Sequence, residues 1–452
     1  MNVDTIPRMA CRTCGVPLNR YADLDSGQVR YTHPLGMVLE PAGHQPDPAP
    51  LDEVDARHVC DFCSDERICY TLRTAPISSV ADTPGGRIVE RYGTDWSACF
   101  VCAGYLRARD LDGLGRRLRQ VGPRLDRIAA AAARVMQQAV LQSLLPGVSV
   151  AAIGRWPATA LPAAILPRVR DRLANLFAGP LGLPLGLDDP RVRGVVADSV
   201  TAARLFWIDP EFTALADYAA GSLPATRLTA ADLPAPHGLL AWAEPVGART
   251  NLGAGLVAAS WTTSPEGLRV VGYRSIGAGL PPVELQQLRE QLGWLGPRVH
   301  AHLPAGDPVD ADSPAAVVVA TWLLIAQRLA ETSPVPVDKA IRKAYQRAGR
   351  PAPEVRLVRI RGSRSVRHTG GPSAPQRFDG ERSPTPRKYR WWVKAHWRQQ
   401  PYGPGRTLRR PFLVLPQLRG PDDKPIKAST VVRMLAAAPP PPDQTASAGT
   451  DE

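Results

Sequence analysis

Seven cysteines are the residues in this chain whose spacing points most directly to chemistry, and six of them fall in three Cys-x-x-Cys hooks. A hook sets two thiolates on one turn, so two hooks a few tens of residues apart can close around a single ion as a tetrahedral four-cysteine zinc site. Cys60, Cys63, Cys99 and Cys102 have that spacing. Paired disulfides or free core thiols are the less favoured alternative, and with no secretory signal visible a reducing cytosol with metal-bound thiolates is expected. The remaining hook, Cys11-Arg-Thr-Cys14, is followed by Gly15, which supplies the turn that lets backbone N–H groups face the sulfurs. Its expected partners are His33 and His44, giving a second site of two cysteines and two histidines, with His58 as a rival ligand. Cys69 is left over and reads as a small core residue.

These ligands need elements to hold them. Between the two later hooks, Ile68 to Leu72 and Ile88 to Tyr92 flank Pro84-Gly85-Gly86, which predicts a strand, a loop and a strand returning to the metal, a ribbon-like zinc module. Residues 42–57 form a Pro-rich acidic connector between the two sites. After Cys102 the pattern turns helical. Asp110 or Asp112 caps a short basic helix to Arg119, and Pro123 opens a longer one over 124–145. Further helices are expected over 162–177, 190–207 and 209–220. From Gly238 three strands follow, near 239–242, 255–261 and 268–273, with a turn at Ser264-Pro-Glu-Gly267. Two helices come next, 282–292 and 314–331, the second apolar all round and therefore buried. No nucleophile elbow, phosphate loop or dinucleotide fingerprint interrupts this stretch. His300-Ala-His302 has the spacing of the paired metal-binding histidines of rolling-circle nickases. It lacks the surrounding bulky strand pattern and a following tyrosine motif, and reads as loop histidines.

Charge divides the chain. Lys+Arg total 55 against 42 Asp+Glu, a net of +13; residues 339–434 hold 24 and 5 of these, a net of +19, which leaves 31 and 37, a net of −6, elsewhere. The basic end opens with an amphipathic helix, 337–349, and an alternating strand, 354–361. A Ser/Gly/Pro/Arg linker follows, and then the densest stretch of the chain. Here Tyr389, Arg390, Trp392, Lys394, Trp397, Arg398, Tyr402, Arg406, Arg409 and Arg410 interleave cations with rings, which supplies phosphate charge and stacking platforms together. Strands are expected near 388–396, 411–415 and 426–434, with Trp391 and Val393 facing in and Trp392 and Lys394 facing out.

The motifs Cys60-Asp-Phe-Cys-Ser64, Asp95-Trp-x-Ala-Cys-x-x-Cys102 and His396-Trp-Arg-Gln-Gln-x-Tyr-Gly-x-Gly-Arg406 together resemble a family of large uncharacterised proteins from high-GC actinobacteria and their mobile elements. The resemblance covers the zinc region and about 236–434, and it implies an architecture rather than an activity.

The fold class expected is α+β and multidomain: zinc-binding modules over 1–104, a mostly helical region over 105–235 and an α+β domain over 236–361. A flexible linker over 362–387, a basic aromatic β-rich module over 388–435 and a disordered acidic tail over 436–452 follow. The expected function is a cytoplasmic zinc protein of regulatory or mobile-element type that binds nucleic acid, DNA or RNA, with no membrane partner. One Zn²⁺ is expected at the four-cysteine set and a second at the cysteine–histidine set. The alternative is a zinc-stabilised scaffold for protein partners; a nuclease with His396 as general acid or base ranks below both.

Overall fold

The computed structural model describes residues 9–23, 28–33, 44–51, 53–54, 58–83, 86–122, 127–152, 154–247, 255–361, 389–419 and 424–425. The chain is a mixed α+β protein with two compact units, Met1–Arg364 with Trp397–Phe412, and Ser365–His396 with Leu413–Glu452.

A seven-stranded sheet organises the larger unit. Its order is Leu295–Pro304, Gly267–Ser275, Leu256–Ser264, His237–Val246, Arg204–Ile208, Val355–Ile360, Ala330–Val335. The first four run antiparallel in sequence order, and the Ser264-to-Gly267 turn falls where the Pro-Glu-Gly signal places it. Arg204–Ile208 lies parallel to both of its neighbours. A parallel strand in mid-sheet is covered on both faces, which is why its sequence is a run of bulky apolar residues without alternation. On one face the helix Ala316–Ile325 is buried from Ala316 to Leu324, as its uniform apolarity requires. Its Trp322 ring lies 5.2 Å from Trp261, which in turn stacks 6.0 Å from Phe206. Burying one such indole removes about 150–250 Å² from water, worth about 4–6 kcal/mol before entropy is counted. Trp261 passes so close to Gly238 that an added Cβ there would lie 2.1 Å from the indole, so only glycine fits.

Several expected elements end early because a strand takes over. The helix expected to Leu145 stops at Ser143, and Leu144–Val150, carrying Pro146-Gly147, pairs with Ile68–Thr74 instead. The helix expected over 190–207 stops at Ala202 so that Arg204–Ile208 can enter the sheet. Similarly, the 314–331 helix ends at Ile325, and Ala330–Val335 becomes the sheet edge. His300 and His302 sit on the strand Leu295–Pro304 and not in a loop; His300 Nδ1 bonds Leu185 O at 2.9 Å. In each case inter-strand pairing outweighs local helical or turn preference.

Between the later hooks the chain makes four strands where two were expected. Ile68–Thr74 and Asp95–Cys99 pair with each other. Between them Ile77–Thr83 and Gly86–Tyr92 form a hairpin, joined by Asn19–Asp23 and Val29–Thr32 in a separate four-stranded sheet. Toward the C-terminus, Trp391–Val393 pairs with Gln417–Arg419, and His396–Tyr402 with Leu408–Val414. The strand expected near 426–434, the linker 362–387 and the tail 436–452 lie outside the described residues. Among the described residues no helix is long and apolar enough to cross a membrane.

Candidate metal centres and basic hairpin

The sulfurs of Cys60, Cys63, Cys99 and Cys102 all lie within 4.8 Å of one another, a group that could hold a metal ion. Cys63 and Cys99 are 3.7 Å apart, close to the roughly 3.8 Å edge of a tetrahedron with 2.3 Å metal–sulfur bonds. The two hooks present their thiols differently. Cys60–Cys63 is a tight backbone turn: Cys60 N donates to Asp65 O and Ser64 N to Cys60 O, both at 2.8 Å, and Ser64 takes φ +62° to close it. Cys99 instead ends a strand and caps the helix Phe100–Arg107, its sulfur accepting from Cys102 N at 3.5 Å. The second hook is therefore a helix start, not the second strand turn of a ribbon. Its free N–H groups and dipole favour thiolate there.

One further contact ties the hooks to each other and a second ties the first hook to a helix. Asp61 exchanges bonds with Ser97, its N donating to Ser97 O at 2.9 Å and its Oδ2 accepting from Ser97 N at 2.6 Å. Gln137, on the helix Arg127–Ser143, reaches Phe62 O. All four cysteines are at most 2% exposed and belong to the main hydrophobic core. Within the group, hydrogen bonds from Cys102, Cys60 and Cys63 hold the Cys99 thiol well below its ordinary range, whereas burial pushes Cys60 well above it. Beneath the sulfurs lies a charge cluster that sequence reasoning missed. The buried Asp65 carboxylate takes Arg67 in a fork at 2.8 and 2.9 Å and Arg117 at 3.2 Å. Burial works against the charge on Arg117, and the nearby Cys99 and Cys63 sulfurs more than restore it. The signal available in sequence was an Asp two residues after the hook and an Arg two residues after that.

Cys11, Cys14, His33 and His44 form the second group within 4.8 Å. Cys11 Sγ lies 3.4 Å from His44 Nε2, and Cys14 Sγ lies 3.3 Å from His33 Nε2. A tetrahedral site with S and N ligands has edges of about 3.6 Å. His58 is outside the group. The hook repeats the backbone turn of Cys60–Cys63: Cys11 N donates to Val16 O at 2.8 Å, Gly15 N to Cys11 O at 2.7 Å, and Gly15 has φ +70°. Burial opposes ionisation of Cys11, but hydrogen bonds from the Asp47 and Cys14 backbone and from His33 and His44 bring its thiol down to about 5. Burial raises the Cys14 thiol.

The ten aromatic and basic residues expected to interleave phosphate charge with stacking platforms are divided between the units. In the smaller, Trp392 is 63% exposed and Tyr389 49% exposed, and Trp391, Trp392, Val393 and Lys394 alternate half-buried and exposed as expected. Arg390 is half-buried. In the larger, Trp397 is not a free stacking platform: it is half-buried, and its Nε1 donates to Ala219 O at 2.9 Å, pinning the hairpin to the end of the helix Pro210–Ala220. Arg398 lies over Phe412 and Arg410 over Tyr402, at 5.6 and 5.3 Å. Every residue from Tyr402 to Arg410 is exposed, and the loop turns on Gly403, Gly405 and Arg406, all with positive φ. Among the described residues no carboxylate pairs with Arg406, Arg409 or Arg410. His396 bonds Lys394 O through Nδ1 at 2.9 Å, and no described hydrogen bond brings an acid or base to it.

Comparison with known proteins gives no match: no protein family, no curated protein and no solved structure is similar to this chain at a significant level.

Proposed function

We propose that this is a cytoplasmic zinc protein of regulatory or mobile-element type that binds nucleic acid through the exposed hairpin of its C-terminal region. The observation that carries the reading is the hairpin end Tyr402–Arg410, nine consecutive exposed residues with three arginines, two glycines and a tyrosine under a guanidinium. Guanidiniums without a carboxylate partner are ready to replace counterions on phosphates, and the glycines let a backbone approach. Zn²⁺ is the ion that suits both donor sets. Four buried thiolates make a closed, structural site, and two thiolates with two imidazoles are an equally zinc-like set. Neither set leaves a ligand position that would favour metal-assisted catalysis, and among the described residues His396 has no acid or base partner with which to act as a nuclease base. A protein-interaction scaffold is the second reading, favoured by the exposure of Trp392 and Tyr389.

Fluorescence anisotropy with single-stranded DNA, duplex DNA and RNA over a salt series tests this, using the full chain and an R406A/R409A/R410A variant. Loss of three phosphate contacts is expected to flatten the slope of log K against log salt by about 2–3. Flat anisotropy for all three ligands would leave the scaffold reading in its place.

A further inference from the structure

A second cationic surface lies on the body of the larger unit, far along the sequence from the hairpin. Trp294 carries two guanidiniums on its ring, Arg168 from the helix Leu166–Ala178 at 5.3 Å and Arg289 from the helix Pro282–Gln291 at 5.1 Å. Arg289 also donates to Gly293 O at 3.0 Å and sits so close to the loop at Gly277 that a Cβ there would meet it at 3.0 Å. Arg172, one turn beyond Arg168, lays its stem across Gly293 and reaches Glu290 O at 3.5 Å. Arg107 closes the row: it stacks on Tyr70 at 5.4 Å and donates to Gln291 Oε1 at 3.3 Å.

Other arginines of this unit show what is different here. Arg67 and Arg117 share Asp65, and Arg350 and Arg170 share Asp171. Among the described residues Arg107, Arg168, Arg172 and Arg289 form no ion pair; of the carboxylates on the same two helices, Asp171 is taken by Arg170 and Arg350, and Glu290 accepts from Gln286 at 3.2 Å. One guanidinium on an indole is stabilised by the ring, and a second on the same ring adds repulsion to the first. Burial without a counter-ion brings Arg289 down to about 10. Carbonyls and rings hold these cations in place, so little freedom is lost when an anion arrives.

We infer that the row Arg107, Arg289, Arg168 and Arg172 around Trp294 is a second contact surface for the phosphate backbone of a nucleic-acid strand. It takes backbone rather than bases, because Trp294 is already stacked by arginines and the row offers only donors. The inference rests on the proposed nucleic-acid function and adds a separate place for it. The row is also tied to the four-cysteine group, since Arg107 ends the helix that Cys99 caps and that carries Cys102 in its first turn.

The test is the salt series above with a labelled single-stranded oligodeoxynucleotide, the full chain, and R168Q/R172Q beside the hairpin triple variant. Loss of two single-strand phosphate contacts is expected to reduce the slope by about 1.4 and to weaken binding roughly tenfold near physiological salt. R168K/R172K, which keeps the charges, should retain the slope; an equal loss in the lysine and glutamine variants would mean damage to the fold and would overturn the inference. Normal binding by R168Q/R172Q alongside weakened binding by the hairpin variant overturns this surface and leaves the proposed function standing. Absence of binding by the unaltered chain removes both.

Discussion

Cys11–Cys14 and Cys60–Cys63 close by the same backbone bonds with a positive-φ residue in the same place, yet they belong to opposite surroundings. The four-cysteine group is part of the main hydrophobic core, among Phe62, Trp96, Phe100 and Leu106. Around the cysteine–histidine group the buried apolar residues before position 59 are Ala10, Cys11, Val16 and Ala49, among the described residues, and none of them joins that core. Among the described residues that is little apolar burial to set against the entropy of ordering a strand pair. The difference teaches that a metal at the first hook would stand in for a core, whereas at the four cysteines it would complete one.

The largest effect should come from Cys99→Ser. A structural zinc is worth on the order of 10 kcal/mol, as much as the whole stability of a typical domain, so the variant is expected to lose its cooperative melt by circular dichroism. A Cys99→Ser protein melting within about 2 °C of the parent would show that the core stands without the metal. His44→Ala probes the other side. Metal content by mass spectrometry should fall from two ions per chain to one, and protease cuts should appear within residues 9–54, while the main melt stays within a few degrees. If His44→Ala lowered the main melt as far as Cys99→Ser, the contrast would collapse. The smallest and sharpest change uses the shared turn. Gly15→Ala should weaken metal retention at the cysteine–histidine site by about 1 kcal/mol in a chelator competition, and Ser64→Gly should cost nothing or stabilise the four-cysteine site by up to about 1 kcal/mol. Equal and same-signed effects would mean that the two turns are not equivalent.

The hooks were legible because thiolate geometry is written into a spacing of four residues. A hook without partners points to histidines, and the structure brings His33 and His44, not His58, to Cys11 and Cys14. The amphipathic helix at 337–349 was also plain, and Lys339–Arg347 is capped by Asp338 and followed by Gly349 at φ +64°. What could not be read was membership. Leu205-Phe-Trp-Ile208 follows a good helix without a break, and only two distant parallel partners make it a strand. The hairpin Ile77–Thr83/Gly86–Tyr92 looked like part of a zinc ribbon because its pairing with Asn19–Asp23 crosses the first metal site in sequence. Trp397 looked like a nucleic-acid platform, since nothing local says that its N–H ends on Ala219. Long-range pairing decides each of these, and a single sequence does not display it.

The place of Arg204–Ile208 in the sheet has a consequence for how the protein is made. One neighbour, His237–Val246, leaves the ribosome soon after it, but the other, Val355–Ile360, lies about 150 residues later, roughly ten to thirty seconds of synthesis. For that interval the nascent chain presents an unfilled edge whose residues are Leu, Phe, Trp and Ile, the kind of template that recruits strands from other polypeptides. Any product released before residue 360 keeps that edge for good. The basic segment that completes the sheet thus acts as the stopper on a sticky intermediate, and early termination should yield inclusion bodies or chaperone-bound chains rather than a smaller working protein.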